Sequence, residues 1–206
     1  MSNQKDEQND LHTVKGPDLT DETHMRKEPD KQKHGIFRDF IVPIVCALLI
    51  VLLVRHFIVG MYYIPSGSMI PTLNINNQVV VTKFTYRFEE PKRGDIVVFK
   101  YPVNEKEGLH EEDYVKRLIG KPGETLEIKN NQVYINGEPI QEPYVASDTN
   151  MPDFGPVTIP DHQYFMMGDN RNHSNDSRYW GYVDRKYFIG KAQLIYWPIS
   201  DWRVLS

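Results

Sequence analysis

The alternation of apolar and polar positions divides the chain into three parts. Residues 1–39 mix acidic and basic side chains with few large apolar ones, so they cannot bury enough surface to offset the entropy lost on ordering. Residues 40–59 form one long apolar run, and residues 60–206 carry short β-branched and aromatic runs separated by turn residues. The pattern predicts a disordered tail, an apolar helix and one folded domain large enough for a hydrophobic core.

The apolar run has the length of a membrane-spanning helix. Its 20 residues would cover roughly 30 Å of hydrocarbon as a helix, and only Arg55 and His56 interrupt it. A cleavable export signal would have a shorter apolar core closer to the N-terminus, and a buried core helix would have a polar face. We therefore predict a transmembrane anchor at residues 40–59.

The charges that flank this run predict its orientation. Basic residues cluster before it, at positions 26, 27, 31, 33 and 38, whereas the first one beyond Arg55 is Lys83. Because positive residues stay on the cytoplasmic side, residues 1–39 are expected inside the cell and residues 60–206 outside. The prediction is a single-pass protein of the cell membrane, with the lipid bilayer as its first partner.

The folded part is predicted to be mainly β, an antiparallel β-sheet domain preceded by one transmembrane helix. No helical periodicity lasts more than about one turn after Val59, so crossover helices are missing and antiparallel pairing is favoured. The pairs Asn130–Asn131 and Asn136–Gly137 suit positive φ angles and predict a three-stranded meander. Residues 144–156 are expected to form a loop. The other predicted strands are residues 78–84, 94–101, 113–120, 163–170 and 190–199.

Composition narrows the function classes. The net charge is −4 and charged residues make up 25% of the chain, so no nucleic-acid partner is expected. Cys46 is the only cysteine, which excludes an intrachain disulfide, and its place in the apolar run argues against a catalytic thiol. No cofactor and no metal site are predicted.

The segment "IPSGSMIPTL", residues 64–73, is the candidate for chemistry. Pro65 and Pro71 stiffen it, Gly67 allows close approach of another backbone, and it begins a few residues beyond the predicted membrane face. Ser68 is the candidate nucleophile, which needs a base for its proton and donors for an oxyanion.

Two residues are candidates for the base. Among the seven histidines, His173 alone stands in a polar cluster that suits a site, so a Ser68–His173–Asp triad is one alternative. Lys116 is the stronger candidate, because strand alternation places it between Tyr114 and Leu118 on one face. Burial there could lower the pKa of the amine by the roughly 3 units that a base near pH 7–8 needs. An exposed lysine, the commoner state, would have no such role.

Four segments after the apolar run stand in the order of a known family's conserved boxes. They are "PSGSMIPTL", "RGDIVVFKYP", "YVKRLIGKPGE" and "GDNRNHSNDSRYWGYV". They resemble the bacterial type I signal peptidases (leader peptidases), membrane-anchored serine endopeptidases with a Ser-Lys dyad, and the likeness covers nearly everything from Phe40 onward. The short stretch between Gly123 and Pro160 is similar to the compact Gram-positive members. The resemblance implies an enzyme that removes signal peptides from exported preproteins, cutting after small-x-small (Ala-x-Ala-like) junctions.

The resemblance also implies roles for single residues. Ser68 would be the nucleophile and Lys116 its general base, while Ser66 would complete the oxyanion hole beside the Ser68 backbone N–H. Ser174 would orient the lysine amine, and Asp176 would pair with Arg178. Asp169 and Asn170 would support the site. The substrate pockets would be lined by Ile64, Met69, Leu73, Tyr114 and Val115.

Two other classes share part of this pattern. Self-cleaving repressors resemble the Ser-Lys β-fold, but they are cytosolic and carry a DNA-binding domain where this chain has its apolar run. A non-catalytic, membrane-tethered β-domain that binds exported proteins would need neither Ser68 nor Lys116.

Overall fold

The computed structural model of the chain describes residues 36–101 and 112–205. The chain divides into two units, Met1–Val42 and Pro43–Ser206. Nearly all of the predicted tail, residues 1–39, therefore lies outside the described residues, and its disorder stays a prediction. The first described element is helix α1, Ile36–Phe57.

Helix α1 carries the apolar run, and its large apolar side chains between Phe40 and Leu53 are exposed. Within the described ranges, no helix is both long enough and apolar enough to cross a membrane. The transmembrane anchor stays a prediction. Its expected end at Val59 differs from the end of the helix at Phe57, because Val59 already pairs with Thr82 as the first residue of a strand.

The domain that follows is built from antiparallel strands, which confirms the predicted mainly β fold. The strands are β1 (Val59–Tyr63), β2 (Gln78–Thr82), β3 (Ile96–Lys100), β4 (Asp113–Gly120), β5 (Thr125–Lys129), β6 (Gln132–Ile135), β7 (Glu138–Pro139), β8 (Phe154–Thr158), β9 (Gln163–Met167), β10 (Val183–Asp184), β11 (Phe188–Trp197) and β12 (Arg203–Val204). The short helices are α2 (Thr85–Phe88) and α3 (Ser177–Trp180), with 3-10 turns at Arg171–His173, Arg185–Tyr187 and Ile199–Asp201.

The strands form two sheets. The larger has the order β1-β2-β11-β3-β4-β9-β10, with β12 beside β11, and the smaller has the order β7-β6-β5-β8. Apolar residues of β2, β3 and β11 form a hydrophobic core together with residues from the 64–73 segment. The segment that contains Ser68 is therefore packed directly against this core.

The predicted meander is present as β5, β6 and β7. Asn130, Asn131 and Asn136 have φ angles of 51°, 63° and 53°, and Gly137 has a φ of 83°, as tight turns between antiparallel strands require. The loop prediction for residues 144–156 is wrong at its end, where β8 begins at Phe154. That strand pairs with β5, and the polar turn-type residues around it gave no local sign of this long-range pairing.

Candidate active site

The 64–73 segment is held by apolar side chains on both sides of Ser68. Ile64, Met69 and Leu73 are buried in the core of the larger sheet. The backbone N–H of Leu73 donates to the carbonyl of Met69 at 2.8 Å, and that of Ile70 donates to Gly67 at 3.2 Å. The apolar residues of this segment therefore fix a bend that presents Ser68.

Lys116 lies on strand β4, next to the 64–73 segment. Residues 113–116 pair with β3 on one side, whereas pairing with β9 on the other side begins only at Arg117. In the part of the chain that the structure describes, the second edge of residues 114–116 has no strand partner. Lys116 thus lies at the end of an open strand edge.

Lys116 and Ser68 are in direct contact. The Nζ atom of Lys116 donates to Ser68 Oγ at 2.7 Å, and the lysine is only 5% exposed. Burial lowers the pKa of Lys116 from 10.5 to about 8, against the opposite effect of the carboxylates of Asp176 and Asp169. A substantial fraction of the amine is therefore neutral near pH 8, which is the protonation state that a general base needs.

The second serine of the segment lies beside the first. Ser66 Oγ is 3.4 Å from Ser68 Oγ. A hydroxyl and a backbone N–H close to one nucleophile can together donate to an oxyanion. The structure brings together the three groups that sequence analysis placed at the centre of the site.

Residues 168–178 pack behind Ser68. Asn170 donates from its backbone N–H to the Ser68 carbonyl at 3.1 Å and from its side-chain amide to the Gly67 carbonyl at 3.0 Å. Asp176 pairs with Arg178 at 2.8 Å, as expected, and also accepts from the Gly168 N–H at 3.0 Å. This polar segment fixes the backbone on which Ser68 stands.

Asp169 pairs with a residue that sequence analysis did not select. Arg117 Nε and Nη2 donate to its two carboxylate oxygens at 2.9 and 2.8 Å, and Thr72 donates to it at 2.5 Å. Arg117 follows Lys116 on β4 and is buried. The sequence signal that could have identified Arg117 was its place within the apolar part of a strand, because a buried arginine needs a charged partner.

Ser174 does not make the contact expected of it. It is buried, yet its Oγ has no hydrogen-bond partner among the described residues, so the expected bond to the Lys116 amine is not formed. The hydroxyl lies against Gly168 instead, since a Cβ added to that glycine would be 2.2 Å from Ser174 Oγ.

Ser68 and Lys116 line a cleft of about 710 Å³. Four of the predicted pocket residues line it: Ile64, Met69, Tyr114 and Val115. Leu73 does not, because it points into the core and is fully buried, which corrects that prediction. His173 also lines the cleft, but among the described residues no hydrogen bond joins its ring to Ser68. No three metal-binding side chains gather anywhere in residues 36–101 or 112–205.

An antiparallel β-domain with a buried lysine amine bonded to a serine hydroxyl in a cleft has the arrangement of a serine hydrolase. Residues 37–197 match the family described as "Signal peptidase, peptidase S26". The chain belongs to this signal peptidase family, which confirms the resemblance drawn from its sequence motifs.

Two curated relatives agree with this assignment. A "Probable signal peptidase I-2" from Synechocystis sp. is 41% identical over 155 residues, covering 75% of this chain and 71% of that protein. "Signal peptidase I T" from Bacillus subtilis is 37% identical over 196 residues, covering 90% of this chain and 98% of that protein. The crystal structure of a signal peptidase I from Enterococcus faecalis is 35% identical and covers 50% of this chain and 97% of that one, with a TM-score of 0.43. As a member of the family, this chain is a hydrolase that acts on signal peptides.

Proposed function

We propose that this protein is a membrane-anchored serine endopeptidase in which Ser68 is the nucleophile and Lys116 the general base. The observation that carries the proposal is the 2.7 Å contact between Lys116 Nζ and Ser68 Oγ, made by a lysine that is 5% exposed. Both groups line the cleft of about 710 Å³.

The reaction follows from this pair. Neutral Lys116 takes the proton of the Ser68 hydroxyl while Oγ attacks the scissile carbonyl, and the oxyanion is held by the Ser68 N–H and the Ser66 hydroxyl. When the intermediate collapses, the C–N bond breaks and the leaving amine takes the proton from Lys116. The Lys116 amine then deprotonates a water molecule, which attacks the acyl carbonyl; the C–O bond to Ser68 breaks, and Lys116 returns the proton to Ser68 Oγ.

The open edge of β4 supports binding of an extended substrate. A peptide can pair with residues 114–116 along the edge of β4 that no described strand occupies, as in other cases of strand addition. Alternate side chains of such a strand face the same wall. That wall includes the apolar side chains of Ile64, Met69 and Val115. We propose that they accept small side chains two positions apart, as at Ala-x-Ala-like junctions.

A second group of observations supports attachment to a membrane. Beyond the apolar run of α1, the domain exposes Trp197, Ile199, Trp202 and Val204 near the end of β11 and in β12. Exposed tryptophans next to aliphatic side chains suit the boundary between lipid and water. An anchor oriented with its N-terminus in the cytoplasm would hold the cleft where exported preproteins emerge, and tethering raises their effective concentration.

The test is cleavage of a preprotein with an Ala-x-Ala junction by the full chain in detergent. We expect Ser68→Ala and Lys116→Ala to abolish cleavage, whereas His173→Ala remains active. Wild-type kcat should rise with pH through about 8, because the base acts only when neutral and burial lowers its pKa to about 8.

Two controls allow this assay to distinguish Lys116 from His173 as the general base. Circular dichroism of each variant shows whether it is folded, so that loss of activity is assigned to chemistry. Activity that survives Lys116→Ala but disappears with His173→Ala would refute the dyad and favour the triad. A folded Ser68→Ala variant with wild-type activity would refute the proposed function itself.

A further inference from the structure

A buried ion pair lies behind the active site, outside the catalytic cleft. Glu142 accepts two hydrogen bonds from Arg171, at 2.6 Å from Nη2 and 3.1 Å from Nη1. The side chain of Arg171 is 0% exposed and that of Glu142 is 8% exposed. Such a pair is costly to desolvate, and breaking it by removing one partner leaves a buried charge uncompensated.

Arg171 connects this pair to the backbone behind Ser68. Its Nε donates to the carbonyl of Gly168 at 3.0 Å. Gly168 lies directly against the nucleophile, since a Cβ added to it would be 2.4 Å from the Ser68 carbonyl oxygen. A displacement of Gly168 would therefore move Ser68.

A second connection runs through Tyr144. Its ring lies 3.8 Å from the guanidinium carbon of Arg117, and its hydroxyl donates to Glu142 at 3.0 Å. Arg117 holds Asp169, the neighbour of Gly168, and follows Lys116 on β4. Residues 142–144 thus contact both arginines: Arg171, which donates to the Gly168 carbonyl, and Arg117, which holds the Asp169 carboxylate.

We propose that Glu142 and Tyr144 are positioning residues that keep Ser68 and Lys116 at reaction distance. Neither residue lines the catalytic cleft, so neither is expected to contact the substrate. The inference rests on the proposed function, because it concerns the geometry of the same dyad.

This role predicts a specific kinetic signature. A small misplacement of reacting groups lowers the rate of the chemical step, by about tenfold to a hundredfold, without removing any substrate contact. Loss of Glu142 or of the Tyr144 ring should therefore lower kcat and leave KM within about twofold of wild type. A residue that bound the peptide would instead raise KM.

The experiment compares four replacements in the full chain in detergent. Glu142→Gln removes the charge and Glu142→Asp keeps it, while Tyr144→Leu removes the ring over Arg117 and Tyr144→Phe keeps it. The matched control is Glu124→Gln, which breaks another two-bond pair, that of Glu124 with Arg93 at 2.7 and 3.1 Å. We expect kcat to fall in Glu142→Gln and Tyr144→Leu, with the other three close to wild type.

Hydrogen–deuterium exchange supplies a readout that does not depend on activity. The amides of Gly168 and Asn170 donate to Asp176 and to the Ser68 carbonyl, and Glu142→Gln should speed their exchange more than Glu124→Gln does. Unchanged exchange at residues 168–170 would overturn the positioning role, even if the proposed peptidase activity were absent. A rise in KM with normal kcat, or an equal loss of kcat in Glu124→Gln, would also overturn it.

If Glu142→Gln lowers the stability of the protein, a second replacement at Arg171 separates the loss of stability from the loss of positioning. Glu142→Gln with Arg171→Gln removes both buried charges and should restore thermal stability. If kcat stays low in this stable double variant, the contact of Arg171 with Gly168 is needed for positioning. If kcat returns to the wild-type value, the inference is wrong.

Discussion

The amine of Lys116 lies beside Ser68 and within reach of two carboxylates, and these surroundings act on its pKa in opposite directions. Burial is the larger effect and lowers the pKa to about 8, while Asp176 and Asp169 raise it. An exposed lysine would be almost entirely protonated at neutral pH and would have no free electron pair for a proton. The depth of this one side chain thus decides whether it can act as a base.

The same burial is expected to cost stability. Below pH 8 Lys116 is charged in both the folded and the unfolded chain, so the folded state bears the full penalty, on the order of 3 kcal/mol for a pKa lowered from 10.5 to about 8. Lys116→Met should therefore raise the free energy of unfolding at pH 7 while it abolishes cleavage. The gain should shrink as pH rises from 8 to 10.5, because the folded lysine becomes neutral there.

Denaturant unfolding of the detergent-solubilised chain at pH 7 and pH 10.5 measures this difference. Ser68→Ala serves as the control, because it removes the nucleophile without changing a buried charge. A Lys116→Met variant no more stable than wild type at pH 7 would contradict the expected penalty.

For single residues, the sequence predicted which residues form the site better than how deeply each one is buried. The placement of Lys116 beside Tyr114 and Leu118 followed from strand alternation, and the structure shows the lysine buried. Alternation does not say how a bend packs, so Leu73 was expected in the cleft and lies in the core. Glu142 and Arg171 are 29 residues apart in sequence, and no local pattern indicates that pairing.

At the scale of elements, turn chemistry was the most reliable signal. Strand β4 was predicted at its observed bounds, and the meander followed from asparagines that tolerate positive φ. Strand β1 was not predicted, and its first residue, Val59, was assigned to the anchor; the first three residues of β8 were assigned to a loop. Both are defined by pairing with distant strands, which a single short run of residues does not indicate.

Asn136 offers a test of the turn between β6 and β7. Its φ is 53°, and its side-chain oxygen accepts from the Thr125 N–H at 2.8 Å. Asn136→Ala removes this bond and places a residue poorly suited to left-handed backbone in the turn, so we expect a loss of about 1–2 kcal/mol in the free energy of unfolding.

The measurement is denaturant unfolding, with cleavage assayed on the same preparations. Glu138→Ala, an exposed change in the neighbouring β7, is the control. Because the turn lies outside the cleft, kcat per folded molecule should not change. Equal stability of the two variants would argue against the importance of the Asn136 backbone conformation.

At the scale of the whole molecule, the proposed orientation on a membrane makes a prediction for the three tryptophans. Trp197 and Trp202 are exposed beside Ile199, whereas Trp180 packs between Phe99 and Tyr101. If the first two meet the lipid boundary, brominated phospholipids should quench their fluorescence and leave that of Trp180 unchanged.

Variants with a single tryptophan, the others replaced by phenylalanine, separate the three signals in vesicles. The full chain without brominated lipid gives the reference intensity. Equal quenching of Trp180 and Trp202 would contradict the proposed membrane-facing surface.

The open edge of residues 114–116 has a consequence for the proteins that such an enzyme would process. Backbone groups on that edge are the same whatever side chain follows, so binding through them places almost no demand on the sequence of the cargo. Only positions facing the cleft wall would be constrained. Secreted proteins could then accumulate mutations around the junction freely, provided that two small residues were retained.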